Sequence, residues 1–154
     1  MMVVKTRIFG EIVIEESKII TFVNGIVGFP ELTQFALIYD EEKGKTAGVR
    51  WLQSVQEAEF AIPVIDPLMV MEDFNPEVDD ELLRPIGELN PDEMLVLVTI
   101  TVPSDLKQMT VNLKAPIIIN AKECKACQII AEGEKYQVKY PIYEILQANK
   151  KAGE

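Results

Sequence analysis

Apolar and polar residues alternate with a period of two along much of this chain, which is the pattern of half-buried β-strands. The stretch 109–120 shows it most clearly. Val111, Leu113 and Ala115 fall on one face of the predicted strand, and the residues between them place hydroxyl, amide and ammonium groups on the other. Pro116 fits a break before a last apolar run, 117–120. Such a strand has no obvious catalyst on its polar face, so the pattern favours binding over catalysis.

A second stretch, Met94–Val102, is apolar on both faces of the strand that it predicts. Only Thr99 and Thr101 interrupt the faces within the run. Strands that are covered on both sides have this near-continuous apolar composition. We therefore expect this strand to lie at the centre of the sheet.

The remaining predicted strands are short and are separated by turn residues. We expect a hairpin that turns at Phe9-Gly10, a hairpin around Glu132-Gly133, one helical turn at 30–35, and an edge or bulge position for Pro63. The strands are Val3–Ile8, Glu11–Glu15, Ile19–Phe22, Ala36–Tyr39, Val49–Ser54, Phe60–Ile65, Gln128–Ala131 and Tyr136–Tyr140.

Two short helices are predicted in addition to the strands. In the first, Val78, Leu82 and Leu83 share a helix face, and Gly87 ends the helix. The second follows Pro141 at the end of the chain. Short strands without βα alternation predict a mostly β fold, a single small antiparallel β-barrel-like, partly open domain with short helical insertions. The barrel domain is expected over residues 1–141, and a short helix or tail over 142–154.

Length and composition agree with one domain of this kind. The 154 residues are 48% hydrophobic, enough for a single core. No apolar run approaches the roughly 18 residues that a membrane-spanning helix needs. The first residues lack the apolar segment of a signal peptide, so we expect a cytoplasmic protein that does not bind membranes.

The negative charge is concentrated in one segment. The chain carries 25 acids and 15 bases, and residues 72–93 hold nine acids and one base, a net charge of −8. Such a surface repels phosphate and attracts a basic partner, so direct binding of nucleic acid is not expected. The alternative is a solvated connector that keeps the chain soluble. The candidate partner-binding residues are Glu72, Asp73, Asp79, Asp80 and Glu81.

Residues for common catalytic and metal sites are missing. The chain has no histidine, which removes Ser-His-Asp and Cys-His sites and the common zinc sites. Gly25-Ile-Val-Gly28 lacks the features of a phosphate-binding loop. We therefore expect no enzyme, no cofactor and no metal.

Cys124-Lys-Ala-Cys127 is the one motif typical of a reactive site. Its flanks place it in a turn before a strand that begins at Gln128, whereas redox motifs of this spacing open a helix. Inert turn cysteines are the favoured interpretation. A metal site shared between two subunits, a regulatory disulfide and catalytic redox chemistry remain open.

Over 4–141 the chain resembles the flagellar assembly factor FliW family. The resemblance rests on an ordered set of short pieces, of which Thr-Val-Asn-Leu-x-Ala-Pro at 110–116 is the most specific. The set is Gly10-Glu11, Ile19–Phe22, Gly25–Phe29, Trp51–Ser54, Asp66-Pro67 and Met109–Asn120. The resemblance implies a bacterial cytoplasmic protein with a small β-barrel-like fold and no enzymatic activity.

The resemblance also implies two protein partners, flagellin and the RNA-binding translational regulator CsrA. A partner switch follows: the protein is occupied while flagellin is present, and after flagellin export it antagonises CsrA and relieves repression of flagellin translation. The alternatives are a cytoplasmic flagellin chaperone without CsrA antagonism, and a small-molecule-binding barrel. We expect Asp79, Asp80 and Glu81, with Glu72 and Asp73, to contact or electrostatically guard the basic partner. We expect a monomer, and Asn112 and Asn120 to fix backbone turns.

Overall fold

The computed structural model describes residues 2–6, 10–26, 28–39, 50–75, 80–87, 91–131 and 135–152. Their strands are β1 Met2–Thr6, β2 Gly10–Ile14, β3 Ile20–Phe22, β4 Gln34–Tyr39, β5 Arg50–Ser54, β6 Ala61–Ile65, β7 Met94–Thr101, β8 Thr110–Val111, β9 Ile117–Asn120, β10 Lys125–Gln128 and β11 Tyr140–Pro141. The α-helices are α1 Asp80–Leu83 and α2 Tyr143–Ala152. Single 3-10 turns lie at Glu16–Lys18, Pro67–Met69, Arg84–Ile86, Pro91–Glu93 and Leu106–Gln108.

Seven strands form a closed ring in the order β7-β6-β5-β4-β3-β10-β9, and the pairing of β9 with β7 closes it. Neighbours are antiparallel except β3 and β10, which run parallel. The predicted mostly β, barrel-like fold is confirmed. The ring is closed rather than partly open, and closure leaves these seven strands with neighbours on both sides, which removes the exposed edges of an open sheet.

Strand β7 is the central strand of the fold, as its apolar faces predict. It pairs with β9 through Met94–Leu97, with β6 through Val98 and Thr99, and with β8 through Ile100 and Thr101. Its inward residues join the barrel interior, and its outward residues lie under a second core. Apart from the exposed ends Met94 and Thr101, the strand is covered on both faces, and the prediction of a central strand is confirmed.

The 109–120 stretch follows β7 as two strands, β8 and β9, with the predicted break before Ile117. After β8 the chain leaves the ladder in a turn, in which Asn112 Oδ1 accepts hydrogen bonds from the backbone N–H of Lys114 at 3.0 Å and of Ala115 at 3.1 Å. The predicted alternation in burial holds, since Val111 is buried and Lys114 is half-buried. The predicted strand across 109–115 is wrong beyond Val111, because the asparagine side chain satisfies backbone groups that a strand would pair.

The barrel interior is filled by large apolar side chains. Phe22 and Phe35 pack edge to face, with ring centroids 5.1 Å apart, a favoured arrangement of aromatic pairs. The other buried members of this interior cluster are Ile20, Ile26, Leu32, Leu52, Val64, Leu97, Ile117, Ile119 and Ala126.

A second core lies outside the barrel, against the outward face of β7. Ile142 is buried in it, and Ile145 and Leu146 of α2 pack against it. The predicted C-terminal helix is confirmed as α2. Besides Ile142, this outer core is formed by Ile65, Val70, Phe74, Val98, Ile100, Val111, Leu113, Ala131 and Tyr136.

Two local predictions are wrong. Residues 30–35 form a turn followed by β4 and not a helical turn, because Thr33 O accepts the N–H of Phe22 at 2.7 Å and Phe35 pairs with Ile20. The predicted hairpin around Glu132-Gly133 does not form from its two arms: β10 pairs with β9 and β3, and β11 pairs with β8. The fully buried β9 pairs with β7 along one edge and with β10 along the other, so β10 is not available for the predicted hairpin.

The N-terminal hairpin is confirmed and forms a separate two-stranded sheet of β1 and β2. Its turn, residues 7–9, lies outside the described residues. Pro63 is not on an edge strand, since β6 lies between β5 and β7. At Pro63 itself β6 pairs only with Trp51 of β5, and the ladder to β7 begins at Val64. The missing N–H is therefore tolerated at a position with one neighbouring strand.

Candidate partner-binding site

An apolar groove opens on the outside of the barrel, beside β7 and β9. Its volume is about 430 Å³, within the range of roughly 300–1,000 Å³ found for ligand pockets. Leu68 and Met94 are 54% and 40% exposed, respectively, Asn75 is also exposed, and the remaining lining residues are half-buried or buried. The lining residues are Asp66, Pro67, Leu68, Phe74, Asn75, Leu83, Met94, Leu95, Val96 and Ile118.

One wall of the groove is the segment that follows β6. Asp66 caps the 3-10 turn Pro67–Met69, since its Oδ1 accepts the N–H of Leu68 at 2.9 Å. Further on, the rings of Phe74 and Tyr136 pack edge to face with centroids 5.2 Å apart, and Tyr136 Oη accepts the N–H of Asn75 at 3.2 Å. Both ends of the wall are thereby fixed to the barrel and the outer core.

Asn120, at the end of β9, joins the 3-10 turn after α1 to the barrel. Its Nδ2 donates to Ile86 O at 2.8 Å, and its Oδ1 accepts from the N–H of Lys122 at 3.1 Å and of Glu123 at 3.2 Å. The side chain is fully buried. The prediction that Asn112 and Asn120 fix backbone turns is confirmed for both residues.

Exposed acidic residues lie close in sequence to residues that line the groove. Glu72 and Asp73 are exposed and directly precede Phe74, and Glu81 is exposed on α1, two residues before Leu83. Asp92, two residues before Met94, is also exposed. Three of the five predicted binding residues, Glu72, Asp73 and Glu81, thus stand within two positions of a groove-lining residue in the sequence, but none of the three lines the groove, and their role stays a prediction.

The other two predicted residues are less completely placed. Asp79 lies outside the described residues, and Asp80 begins α1, where only its backbone is described. Asp73 lies near a base, since its Oδ2 is 3.6 Å from Lys135 Nζ. Both side chains are largely exposed, and such pairs stabilise a fold by less than about 1 kcal/mol.

The apolar groove itself was missed by the sequence reasoning. Asp66-Pro67 stood out only as a piece of the family resemblance, and Met94 was assigned to a strand covered on both faces. The lining comes from four separate stretches, 66–75, 83, 94–96 and 118. No local pattern indicates that they meet, because only the pairing of β7 with β9 brings 94–96 beside 118.

The cysteines take different positions in the structure. Cys124 lies in the turn between β9 and β10 with a positive φ of 52°, and its Sγ donates to Ser17 O at 3.2 Å. Cys127 lies in β10, so the prediction of a strand that begins only at Gln128 is wrong. Burial raises the pKa of the Cys127 thiol above its usual value of 9.0. A raised pKa disfavours the thiolate, the opposite of what catalytic redox chemistry requires. The two residues form no disulfide.

Other kinds of site are absent from the part of the chain that the structure describes. No group of three or more cysteine, aspartate and glutamate side chains is placed there to hold a metal ion. No helix in the described ranges is long and apolar enough to cross a membrane.

Comparisons with known proteins agree with this fold. A model of the FliW protein family matches residues 3–142. The flagellar assembly factor FliW of Lachnoclostridium phytofermentans is 45% identical over 155 aligned residues, which cover 99% of each chain. That of Lachnospira eligens is 46% identical, over 95% of this chain and 97% of the relative.

A solved structure gives the same result. The crystal structure of a flagellar assembly factor FliW superposes with a TM-score of 0.82 at 28% identity, and the match covers 92% of this chain and 96% of that one. The curated relatives are named as assembly factors and not as enzymes. With a family match over residues 3–142 and relatives above 40% identity along nearly the whole chain, the protein belongs to the FliW family of flagellar assembly factors.

Proposed function

We propose that this protein acts in flagellar assembly as a cytoplasmic, non-enzymatic switch between two protein partners. It binds flagellin, and in the absence of free flagellin it binds and antagonises a CsrA-type RNA-binding regulator, which relieves repression of flagellin translation. Membership of the FliW family over residues 3–142 is the observation that carries the proposal. The protein needs no cofactor and no direct contact with nucleic acid for this role.

The acidic rim supports the second half of the proposal. A regulator that grips messenger RNA must present a basic surface to the phosphates. The acidic rim is the set Glu72, Asp73, Glu81 and Asp92, which are exposed and stand within two positions of groove-lining residues. Exposed acids near a binding surface accelerate encounter with a basic partner. The same charges repel the RNA backbone, so bound regulator and bound RNA disfavour each other.

Two other functions make different predictions. A flagellin chaperone without CsrA antagonism binds flagellin and leaves the basic regulator free. A small-molecule-binding barrel needs space inside the ring, where Phe22, Phe35 and Leu52 are fully buried in a cluster of apolar side chains. The filled interior favours a protein that binds through its outer surface.

Charge reversal at the rim tests the proposal directly. We expect the triple variant Glu72→Lys, Asp73→Lys and Glu81→Lys to bind a CsrA-type regulator about tenfold or more weakly, because the steering acids become bases. The slope of log affinity against log salt should also flatten. Titration of purified proteins at several salt concentrations measures both quantities.

A matched control separates local charge from net charge. Glu11, Glu15 and Glu16 are exposed on and after the N-terminal hairpin, and their reversal to lysine changes the net charge by the same amount. We expect this control to retain most of the affinity. Equal losses in the two triple variants would show that only net charge matters, and no loss in the rim variant would remove the rim from the interface.

The partner switch itself is tested by recovery from a cytosolic extract with and without added flagellin. We expect the regulator to be recovered with the protein only in the flagellin-free sample. Recovery of flagellin from the supplemented extract, with no regulator recovered in either sample, supports the chaperone function instead.

A further inference from the structure

We propose that the groove beside β7 and β9 is the docking site for an amphipathic helix of a protein partner, with apolar side chains on one face and lysine or arginine on its flanks. The inference rests on the proposed function, in which the partner is a basic protein. It adds what that function leaves open: which surface holds the partner, and through what kind of segment.

The first observation is the chemistry of the lining. Leu68 and Met94 are 54% and 40% exposed beside the half-buried Leu83, Leu95 and Val96. A concave group of apolar side chains left open to water is typical of an interaction site. Methionine at its mouth is adaptable, because its unbranched thioether side chain fills irregular gaps.

The second observation concerns the mode of binding. Strand addition needs a free backbone edge. The floor of the groove offers none where β7 and β9 pair. The paired positions there are Met94 with Asn120, Leu95 with Ile119, and Val96 with Ile118. The other edge of β9 pairs with β10. A partner therefore binds here by inserting side chains, which is how an amphipathic helix occupies an apolar groove.

The third observation is the charge around the groove. Glu72 and Asp73 precede one lining residue, Glu81 precedes another, and Asp92 precedes Met94, all four with exposed side chains. The described bases in this region are Arg84 and Lys135, and Lys135 already lies 3.6 Å from Asp73. An apolar floor within an acidic rim is complementary to an apolar face flanked by bases, and an acidic helix would be repelled.

The groove wall supports docking without large rearrangement. The 3-10 turn that presents Leu68 is capped by Asp66, and Phe74 is fixed against Tyr136. Binding to a preformed groove costs little free energy for ordering the side chains and loops of the binding site. The rim then controls the association rate, and the apolar floor controls the dissociation rate.

Synthetic peptides test the docking site without any natural partner. The probe is a leucine-lysine peptide of about 18 residues with leucine at the i, i+3, i+4, i+7 spacing of one helix face. One control peptide has the same composition with the leucines scattered around the helix, and another has glutamate in place of lysine. Fluorescence anisotropy against the full-length protein at about 0.15 M salt gives the three affinities. We expect the amphipathic basic peptide to bind at least about tenfold more tightly than either control.

Two variants place that binding on the structure. Met94→Asp puts a charge at the mouth of the groove, and Val102→Asp puts one at the far end of the same strand region, where Val102 is 51% exposed. We expect Met94→Asp to weaken peptide binding about tenfold or more and Val102→Asp to leave it unchanged. Leu68→Asp, in the wall after β6, should weaken peptide binding as Met94→Asp does. Thermal unfolding confirms that each variant is folded.

Three results would overturn the docking site. Equal binding of the scattered peptide would mean that charge alone attracts the probe. Equal binding of the glutamate peptide would remove the charge complementarity, and unchanged binding by both Met94→Asp and Leu68→Asp would place the peptide elsewhere. Since neither flagellin nor a CsrA-type regulator is present, a failure here is distinguishable from a failure of the partner switch.

Discussion

The two faces of β7 show how one strand contributes to stability on one side and to a candidate binding surface on the other. The inward face carries Leu97, which is fully buried among the apolar side chains of the barrel interior. The outward face begins at Met94 and Val96 in the open groove and passes under the outer core at Val98. The same apolar run is therefore covered more completely inside the ring than outside it.

This difference follows from how each face is covered. Seven strands close around the inward face, where Leu97 is fully buried and Leu95 is half-buried against the interior cluster. The outward face depends on segments that the barrel does not itself supply: 66–75, the α1 turn and the C-terminal residues. These segments leave the start of β7 open. Mutation of the apolar side chains that remain exposed there should lower the stability of the protein only slightly. The same side chains remain available to a partner.

The largest expected effect is a loss of stability from the barrel interior. Leu52→Ala removes a fully buried side chain of the interior cluster, and we expect it to lower the free energy of unfolding by about 2–5 kcal/mol. Met94→Ala, in the groove, should lower it by less than about 1 kcal/mol. Denaturant unfolding of both variants measures the contrast. Similar losses in the two variants would mean that the groove is part of the core.

The connection between the two regions is expected to have an intermediate effect. Asn120→Ala removes the donor to Ile86 O and the acceptor of two N–H groups at a fully buried position. We expect a loss of about 1–3 kcal/mol, because the Ile86 carbonyl is left without that hydrogen bond. Asn112→Ala removes only acceptor contacts at a half-buried turn and should cost less, about 0.5–1.5 kcal/mol. The reverse order would contradict a special role for Asn120.

The smallest expected effect is seen at alkaline pH. Burial raises the pKa of the Cys127 thiol above 9.0, so above that pH the unfolded chain loses the proton while the folded chain retains it. The free energy of unfolding then falls as pH rises, by at most about 1.4 kcal/mol per pH unit from this group. Below the unfolded pKa the contribution of the thiol is fully present. Cys127→Ala should remove this slope, measured as the difference between variant and wild-type unfolding curves from pH 8 upward; a flat difference would contradict it.

Several features of the fold were predictable because they depend on local patterns. The double-faced apolar run of β7, the N-terminal hairpin and the C-terminal helix each follow from residue spacing within one segment. The roles of Asn112 and Asn120 follow from the tendency of asparagine to bond its own neighbouring backbone. The concentration of acids in 72–93 is likewise visible in one short segment, and their role in partner binding stays a prediction.

The errors share a different physical origin. The 109–120 alternation predicted a strand past Val111, but a period of two in burial does not require a paired backbone, and Asn112 supplies the bonds instead. The hairpin around Glu132-Gly133 was a reasonable local pairing. It does not form, because Gln128 belongs to β10, which pairs with β9 and β3, and the N–H groups of Ile129 and Ala131 donate to Pro116 O and Lys114 O.

The sequence by itself determined a small β-rich domain, its central strand and the place of its acidic surface, because each depends on composition and spacing along a continuous segment. Only the tertiary structure decided the closed ring, the partners of β10 and the apolar groove. Those features join residues far apart in the chain, such as Leu68, Met94 and Ile118. Which of several apolar segments meet depends on the burial of the whole molecule, which no local pattern contains.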